Sequence, residues 1–483
     1  MNRRLPAIVL FVVLPLAALA MFPLGVFSST PPPTVPTFAA LGEPTQPFVP
    51  NAAFINATWF CAGVPNREDA SGGFVTVANP TDAPLSGTMT VFSDTPGTPP
   101  VEQPFEVAPR TTATQVLSEV QSTGGYLSVM VEIAGGGGFV EQQADTAAGN
   151  AVSPCSNSTS RQWHFADNYT LNGSKEDLVV TNPFPDDAII NFTFASNDGT
   201  RQPQNLQGVP VPGNSIVVVD QSNMPKDEAV LAVTIEASRG RVVAGRAQLY
   251  LGERSGYSMT LGSPSTSAEW WFADGEAGEN VTFERYSIYN PSDEDVQVTS
   301  NFWGLNDDPT FVGYRTDTVP AGNVISFTTS EFEGLPTGRH GMTFSTEGAA
   351  SIVVERGITR RAGDGFATTV VLGAPQVFTG YSRWSMAIGT DQAVDGVLSV
   401  MNLDFLDGTV TVKALGPGGE VPVPGLEKIP LPKSGVIDIA IPQAEAALGV
   451  PLVVESTQRI VVERLLPRGG DLRGRSGSLA MPG

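Results

Sequence analysis

The chain is poor in the residues that most often carry catalysis or bind metals, with 2 cysteines and 2 histidines among 483 residues. A Ser-His-Asp triad needs a positioned histidine, and neither His164 nor His340 has a Gly-x-Ser-x-Gly motif beside it. Two cysteines without a neighbouring group of histidines also make a poor zinc site. We therefore expect no catalytic residue, no cofactor and no metal, and we interpret both histidines, which occupy different places in their copies of the repeat described below, as chance occurrences without a functional role.

Basic residues are scarce as well, since 27 Lys and Arg face 49 Asp and Glu and give a formal net charge of -22. A field of that sign repels nucleic-acid phosphates and anionic lipid headgroups. We expect no nucleic-acid partner, and an acidic surface that mainly favours solubility.

Long apolar runs are limited to one, residues 5–27, which follows two arginines and carries no charge. It is long enough to span a bilayer, which needs about 20 residues. Residues 18–20, Ala-Leu-Ala, fit a signal-peptidase site, so residues 1–28 are either a cleaved signal peptide or an N-terminal membrane anchor. Both alternatives place the rest of the chain outside the cytoplasm, because the arginines stay inside. Residues 29–53, rich in Pro and Thr, predict an extended tether.

The rest of the chain contains four copies of one sequence pattern. In the second copy the pattern reads Trp-His-Phe-Ala at 163–166, Leu-Val-Val-Thr-Asn-Pro at 178–183, Val-Pro at 211–212 and Val-Val-Ala-Gly-Arg at 242–246. The opening aromatic residues of the four copies are Trp59, Trp163, Trp270 and Trp384. The interval from Asn79 to Pro109 recurs unchanged from Asn182 to Pro212, from Asn290 to Pro320 and from Asn402 to Pro432.

Each copy predicts an antiparallel β-sandwich, because short runs of β-branched and aromatic residues alternate with Pro, Gly, Asn and Asp. The 40 prolines and 51 glycines also favour many turns and few long helices. We expect an all-β protein with four tandem immunoglobulin-like sandwiches, arranged as a string, over residues 54–156, 157–264, 265–376 and 377–483. An eight-bladed propeller is the alternative, although the two halves of a copy are not alike.

Two apolar residues at strand spacing precede the corner asparagine in every copy: Val75 and Val77, Leu178 and Val180, Tyr286 and Ile288, Leu398 and Val400. Residues two apart share a face of a strand, so these pairs should point into the cores. The asparagine side chain can bond to the backbone two residues on and set a turn. A proline after it then ends the strand.

Cys61 lies near the start of the first copy and Cys155 just past its end. If the last strand returns beside the first, the two can form a disulfide in an oxidising compartment. Two buried, unpaired thiols are the alternative.

The order Trp-x-Phe-Ala, Asn-Pro, Val-Pro and Val-Val-x-Glu-Arg resembles a repeat of exported, largely uncharacterised proteins of high-GC Gram-positive bacteria. The resemblance covers residues from about 54 to the C-terminus and implies immunoglobulin-like repeats, export and no particular chemistry. The chain departs from the pattern at Cys61, at Gln142 in place of Arg, at Gly245 in place of Glu and at Leu403 in place of Pro. These departures weaken any shared catalytic role for the Glu-Arg pair.

Glu355 and Glu463 are the best acidic candidates for a glycosidase-type pair, which needs two carboxyl groups about 5–10 Å apart. They occur one per copy, so we expect structural ion pairs with residues across the strand or in the next domain, each contributing about 0–1 kcal/mol at the surface. The acidic corners after the first strand, for example at 186–187 and 293–295, lack a calcium-loop pattern and are interpreted as solvated turns.

Three hypotheses for function remain. We favour a non-catalytic envelope protein, secreted or anchored in the membrane by its N-terminal segment alone, that serves as a scaffold or adhesion module; this is an argument from architecture. Cell-envelope polysaccharide or protein would be its partner. The alternative is an array of carbohydrate-binding modules, with Trp271 and Trp303 as stacking aromatics. A hydrolase is the third hypothesis.

Overall fold

The computed structural model describes residues 46–50, 56–67, 70–197, 199–305, 313–387, 396–416, 418–441 and 450–483. The predicted signal or anchor, residues 1–28, lies outside this set, as does most of the tether. Within the described ranges, no helix combines the length and apolar character needed to cross a bilayer. The α-helix Leu117–Val120 is one turn long, and the 3₁₀ turns are Leu171–Gly173, Gln204–Leu206, Gln221–Asn223, Thr329–Glu331 and Gln376–Phe378.

Repeats 1 and 2 are built from antiparallel strands. Those of repeat 1 are β1 (Asn56–Phe60), β2 (Val64–Pro65), β3 (Ala70–Ala78), β4 (Leu85–Ser93), β5 (Val101–Val107), β6 (Thr112–Val116), β7 (Tyr126–Ala134), β8 (Phe139–Thr146) and β9 (Gly149–Pro154). Those of repeat 2 are β10 (Gln162–Asn168), β11 (Lys175–Asn182), β12 (Ala188–Ser196), β13 (Gly199–Arg201), β14 (Val209–Val211), β15 (Ser215–Asp220), β16 (Leu231–Arg239), β17 (Val243–Tyr250) and β18 (Gly256–Leu261).

Repeats 3 and 4 follow the same order. Repeat 3 contains β19 (Glu269–Ala277), β20 (Val281–Tyr289), β21 (Val296–Trp303), β22 (Tyr314–Val319), β23 (Val324–Thr328), β24 (Gly338–Thr346), β25 (Val353–Ala362), β26 (Gly365–Leu372) and β27 (Ala374–Pro375). Repeat 4 contains β28 (Arg383–Met386), β29 (Val397–Asn402), β30 (Gly408–Gly416), β31 (Gly419–Pro422), β32 (Ile429–Leu431), β33 (Val436–Ala440), β34 (Leu452–Ser456), β35 (Ile460–Pro467), β36 (Arg475–Leu479) and β37 (Met481–Pro482).

Every repeat is a sandwich of two sheets. We call the sheet that begins with the landmark tryptophan the Trp sheet; its strand orders are β1-β7-β4-β5, β10-β16-β12-β13, β22-β21-β24-β19-β27 and β31-β30-β34-β28-β37, with β2, β14 and β32 pairing β7, β12 and β30. The other is the Glu-Arg sheet, with orders β6-β3-β8-β9, β15-β11-β17-β18, β23-β20-β25-β26 and β33-β29-β35-β36. The all-β prediction of four sandwiches is confirmed.

The predicted core pairs are confirmed, because the two apolar residues before each corner asparagine are completely buried in all four copies. In repeats 2, 3 and 4 the landmark tryptophan joins the two sheets of its sandwich. Nε1 of Trp163, Trp270 and Trp384 donates to the carbonyl of Val242, Ile352 and Ile460 at 2.9, 2.9 and 2.8 Å. Trp59 is equally buried.

The corner asparagines set the turns, as predicted. Asn290 Oδ1 accepts the N–H of Ser292 at 3.0 Å, and its Nδ2 donates to the carbonyls of Glu294 and Val319 at 2.7 and 3.1 Å. The same pattern recurs at Asn79, Asn182 and Asn402. Asn402 keeps these contacts without the proline, so the amide is sufficient to set this corner.

The repeats do not form the open string that the sequence led us to expect. The last strands of the four Glu-Arg sheets pack on one another in cyclic order: β9 on β18, β18 on β26, β26 on β36 and β36 on β9. Gly256–Leu261 is buried along its whole length, because one face packs on its own sandwich and the other on neighbouring repeats. Asn150 N–H donates to the Arg468 carbonyl at 2.6 Å, which joins repeat 1 to repeat 4.

Residues 46–50 complete this closure. Val49 N–H donates to the Pro482 carbonyl at 2.8 Å, and Asn157 Nδ2 donates to the Phe48 carbonyl at 3.1 Å. Gln46 Nε2 donates to Ser263 Oγ at 3.1 Å. The segment that leads into repeat 1 therefore packs on the end of repeat 4.

Candidate functional site

The Glu-Arg landmark forms ion pairs between repeats. Arg246 pairs across its sheet with the inward-facing Leu178, whereas Glu355 pairs with Ser287 on the opposite, outward-facing side of the next repeat's sheet. The guanidinium of Arg246 reaches that carboxylate with Nη2 at 3.0 Å from Oε1 and Nη1 at 3.2 Å from Oε2. The arginine of one repeat thus pairs with the glutamate of the following repeat.

The same contact occurs at two further boundaries. Arg356 of repeat 3 contacts Glu463 of repeat 4 at 2.8 and 3.3 Å. Arg464 of repeat 4 contacts Glu141 of repeat 1 at 2.8 and 3.1 Å, which closes the cycle. Side-chain exposure is 0–2% in all three pairs.

Backbone donors from the end of the Trp-x-Phe-Ala landmark and the residue after it bind two of these carboxylates. The N–H groups of Ala166 and Asp167 donate to Glu355 Oε2 at 2.8 and 2.6 Å. Those of Ala273 and Asp274 donate to Glu463 Oε1 at 2.7 and 3.3 Å. The first and last landmarks of the repeat are therefore two halves of one contact, made by successive repeats.

The boundary between repeats 1 and 2 lacks both charges, and the two departures from the pattern meet there. Gln142 replaces the arginine, and its Oε1 accepts the N–H of Gly63 at 3.2 Å. Gly245 replaces the glutamate and lies so close to Ala62 that an added Cβ would come within 2.6 Å of the Ala62 Cβ. Close packing replaces the ion pair at this boundary.

The buried charges stabilise one another electrostatically. Burial lowers the pKa of Arg246, but Glu355 and the other acidic groups around it together outweigh burial, and the net shift is upward. The pKa of Arg356 is raised in the same way by Glu463, Asp274 and their neighbours acting together. Burial raises the pKa of Asp274, yet Arg360, Arg356 and Arg339 together lower it below the usual value. The expectation of surface pairs was wrong. Removing one partner of a buried pair costs about 3–5 kcal/mol, since the other charge is left without compensation.

The predicted acidic candidates do not face each other across one cleft. Glu355 is bound at the boundary of repeats 2 and 3, and Glu463 at that of repeats 3 and 4. The histidines are buried as well. His164 Nδ1 lies 2.9 Å from Thr234 Oγ1, and burial lowers its pKa to about 4. His340 Nε2 lies 3.2 Å from Glu284 Oε2.

The acidic corners cap turns with their carboxylates. Oδ1 of Asp187, Asp295 and Asp407 accepts the N–H of Gly213, Ala321 and Lys433 at 3.0, 2.9 and 2.8 Å. Across the described ranges there is no group of three or more His, Cys, Asp or Glu side chains that could hold a metal ion.

Trp271 and Trp303 do come together, at the boundary of repeats 3 and 4. Their ring centroids are 5.5 Å apart, but the rings meet edge to face at 78° and pack half-buried against the core of repeat 4. Trp303 Nε1 donates to the Asn402 carbonyl at 2.8 Å. The two rings do not form one flat platform together.

Sequence reasoning missed Phe405, whose ring centroid lies 5.9 Å from that of Trp303 and whose side chain is 75% exposed. Leu406 beside it is 67% exposed. The signal was present in the corner sequence, because repeat 4 alone departs from Asn-Pro there and reads Asn-Leu-Asp-Phe-Leu at 402–406.

The predicted disulfide is confirmed. Cys61 and Cys155, which are 94 residues apart, are bonded and almost completely buried. Cys61 occupies the core position held by Phe165, Phe272 and Met386 in the other repeats. The bond ties the strand that starts repeat 1 to the segment that ends it.

A cavity of about 40 Å³ lies where the four last strands meet, lined mainly by apolar residues. Its lining includes Val152, Met259, Val370, Leu479 and Pro47. Ligand pockets measure about 300–1,000 Å³, so this cavity is too small for a sugar or a nucleotide.

Comparisons with known proteins find one matching family model and two solved structures of low similarity. The family described as "Family of unknown function (DUF5719)" matches residues 138–378, which agrees with the expected resemblance to an uncharacterised family. A search of curated proteins finds no match. Among solved structures, "Thermotoga maritima 1070" is 14% identical over 23% of this chain and 95% of its own, with a TM-score of 0.19. A tetra-tandem repeat from the extending region of a large adhesion protein is 11% identical over 87% of this chain and 98% of its own, with a TM-score of 0.11. Neither TM-score supports an argument about function.

Proposed function

We propose that the chain is a non-catalytic, exported envelope protein that acts as a scaffold or adhesion module. The observation that carries this proposal is the structural role of the Glu-Arg landmark. The Glu and Arg side chains are buried between repeats at three boundaries, where they hold four sandwiches in one cyclic assembly. Phe405, which interrupts the corner pattern of repeat 4, is 75% exposed and free to contact a partner.

The buried disulfide supports a location outside the cytoplasm, because disulfides persist in oxidising compartments and are rare in reducing ones. The N-terminal sequence supports the same location through its predicted signal or anchor. The expected bacterial group and the mode of attachment are part of this proposal.

Protease treatment of intact cells that express the full chain tests the location. Added protease should remove the protein without cell lysis if it is anchored, and the protein should appear in the medium if it is secreted. Protection of the chain until the cells are lysed would contradict export.

We propose that the corner formed by Phe405 and Leu406 makes the adhesive contact. Under the alternative hypothesis of a carbohydrate-binding array, the ligand at this corner is cell-envelope polysaccharide. An exposed aromatic face can stack on a sugar ring, and Phe405 with Trp303 supplies aromatic surface at this corner. Sedimentation of the purified protein with envelope polysaccharide, or with intact cells, measures this binding. Phe405→Ser should weaken it at least several-fold, whereas Asp82→Ala, on an exposed corner of repeat 1, should not.

Equal binding by the parent and Phe405→Ser would exclude this corner as the contact. The non-catalytic part of the proposal has its own test in a panel of hydrolase substrates. Turnover by the parent that is lost in a folded Glu355→Gln variant would contradict it.

A further inference from the structure

One core position carries an acid in two repeats and glycine in the other two. This position lies two residues before the first member of the buried apolar pair that precedes the corner asparagine. It is occupied by Gly73, Glu176, Glu284 and Gly396. Glu176 and Glu284 are 0% and 2% exposed and occupy equivalent places in β11 and β20. Their surroundings differ, and this difference decides their protonation.

Glu284 has a donor for each carboxylate oxygen. Tyr286 Oη donates to Oε1 at 2.7 Å, and the N–H of Glu276 donates to Oε2 at 3.4 Å. His340 Nε2 lies 3.2 Å from Oε2. Burial raises the pKa of Glu284, but His340, Arg356 and Tyr286 overcome that effect and the net shift is downward. Glu284 is therefore the ionised member of the two.

Glu176 has a donor for one oxygen alone. Its Oε2 accepts the N–H of Tyr169 at 3.2 Å, while Oε1 has no hydrogen-bond partner in the part of the chain that the structure describes. Directly across the sheet stands Gln248. Its Nε2 donates to the carbonyls of Tyr169 and Lys175, both at 3.0 Å, which fixes the amide orientation and leaves Oε1 as an acceptor.

Gln248 Oε1 also has no partner among the described residues. Cross-strand neighbours have Cβ atoms about 4.5–5.5 Å apart, so the two side chains are within reach of each other. An ionised carboxylate here would place two acceptors together without a proton between them. A protonated carboxyl group supplies the missing donor and satisfies both oxygens at once.

We propose that Glu176 is a neutral acid in the folded protein, that its O–H donates to Gln248 Oε1, and that its ionisation loosens the contact between repeats 2 and 3. This proposal does not depend on the proposed function. The charged groups near Glu176 are already paired: Arg246 with Glu355 of repeat 3, and Asp167 with Arg285 of repeat 3. A new negative charge would compete with Glu355 for Arg246 and repel both Glu355 and Asp167.

The electrostatics agree with this geometry. Burial raises the pKa of Glu176 from 4.5 to about 8; Arg246 and the Tyr169 N–H oppose the shift, and Glu355 and Asp167 add to it. Because the folded state holds the proton more tightly than the unfolded chain, the stabilising contribution is complete below the unfolded pKa. It is lost as the pH rises through the folded value of about 8. The pKa shift of Glu284 has the opposite sign, so the contribution of Glu284 to stability is lost as the pH falls.

Glu176→Gln tests the proposal, since glutamine keeps the shape and can donate to Gln248 Oε1 without titrating. Denaturant unfolding of the full chain is measured between pH 4 and pH 9 for the parent, for Glu176→Gln and for Glu284→Gln. The unfolding constant of the parent should rise relative to that of Glu176→Gln by on the order of 1,000-fold over this range, because each unit between the unfolded pKa of 4.5 and the folded value of about 8 changes the constant about tenfold. The matched variant Glu284→Gln should be less stable than the parent at pH 7, with a gap that narrows in acid.

A constant ratio of parent to Glu176→Gln across this pH range would overturn the proposal, as would a loss at pH 7 equal to that of Glu284→Gln. Infrared spectroscopy provides a second measurement, whose result does not change when only the stability of the fold changes. The carbonyl band of a protonated carboxyl group should be present in the parent at pH 7, absent from Glu176→Gln and retained in Glu284→Gln. If Glu176→Gln fails to fold, absence of this band from the parent at pH 7 refutes the proposal, and its loss near pH 8 supports it.

Discussion

Replacing Glu355 by alanine removes one half of the contact between repeats 2 and 3. Four donors converge on this carboxylate: the N–H groups of Ala166 and Asp167 and both terminal nitrogens of Arg246. The truncation leaves Arg246 buried, although it keeps bonds to the Asp167 carbonyl, Asn168 Oδ1 and Thr260 Oγ1 at 2.9, 3.0 and 3.0 Å. We expect a loss of about 3–5 kcal/mol in the free energy of unfolding.

Denaturant unfolding followed by tryptophan fluorescence measures this loss. The double variant Glu355→Met with Arg246→Met separates the missing attraction from the unpaired charge. Because well-packed apolar residues often replace a buried ion pair at little cost, the double variant should be more stable than Glu355→Ala. Asp82→Ala, which breaks an exposed pair with Arg110, is the surface control and should leave the midpoint unchanged.

Two results would refute this reasoning. Equal midpoints for Glu355→Ala and Asp82→Ala would show that the buried pair does not hold the boundary. A loss of unfolding free energy in the double variant equal to the sum of the losses from Glu355→Met and Arg246→Met alone would show that the two side chains act independently.

Three further predictions concern the corners, the disulfide and a histidine. Asn290→Ala leaves the Val319 and Glu294 carbonyls without their donor and should destabilise repeat 3 by about 1–3 kcal/mol, measured by the denaturant midpoint; an unchanged midpoint would mean that the asparagine does not set the turn. Cys155→Ala should lower stability by about 4–5 kcal/mol in the chain-entropy model, and adding reductant to this variant should change nothing further, in contrast to the parent. His164 has a folded pKa of about 4, below its unfolded value, so its contribution is present above the unfolded pKa and lost as the pH falls through the folded value. His164→Gln should therefore flatten the loss of stability between pH 6.5 and pH 4, and an unchanged acid limb would contradict this.

The local parts of the fold were accessible from sequence because they depend on strand periodicity and turn chemistry. Val180 and Ile288 were predicted to be buried from their spacing alone, and both are. Asn182 and Asn290 were predicted to set turns because an amide can bond to the backbone two residues on, and both do. The disulfide followed from the position of its cysteines at the two ends of one repeat.

The partners between repeats could not be predicted in the same way. The residues of the three ion pairs are 109, 107 and 323 residues apart in the chain. Which glutamate each arginine meets depends on the rotation from one sandwich to the next, and strand periodicity carries no information about it. The expected string of domains was wrong for this reason.

The sequence by itself determined the four sandwiches, their buried pairs and their asparagine corners, because each of these depends on residues close together in the chain or in one sheet. Only the tertiary structure decided that repeat 4 returns to repeat 1, that the Glu-Arg landmark is buried between repeats, and that Glu176 and Glu284 face different neighbours. A side chain's charge state and partner are set by the groups around it in space, and at these boundaries those groups come from distant parts of the chain.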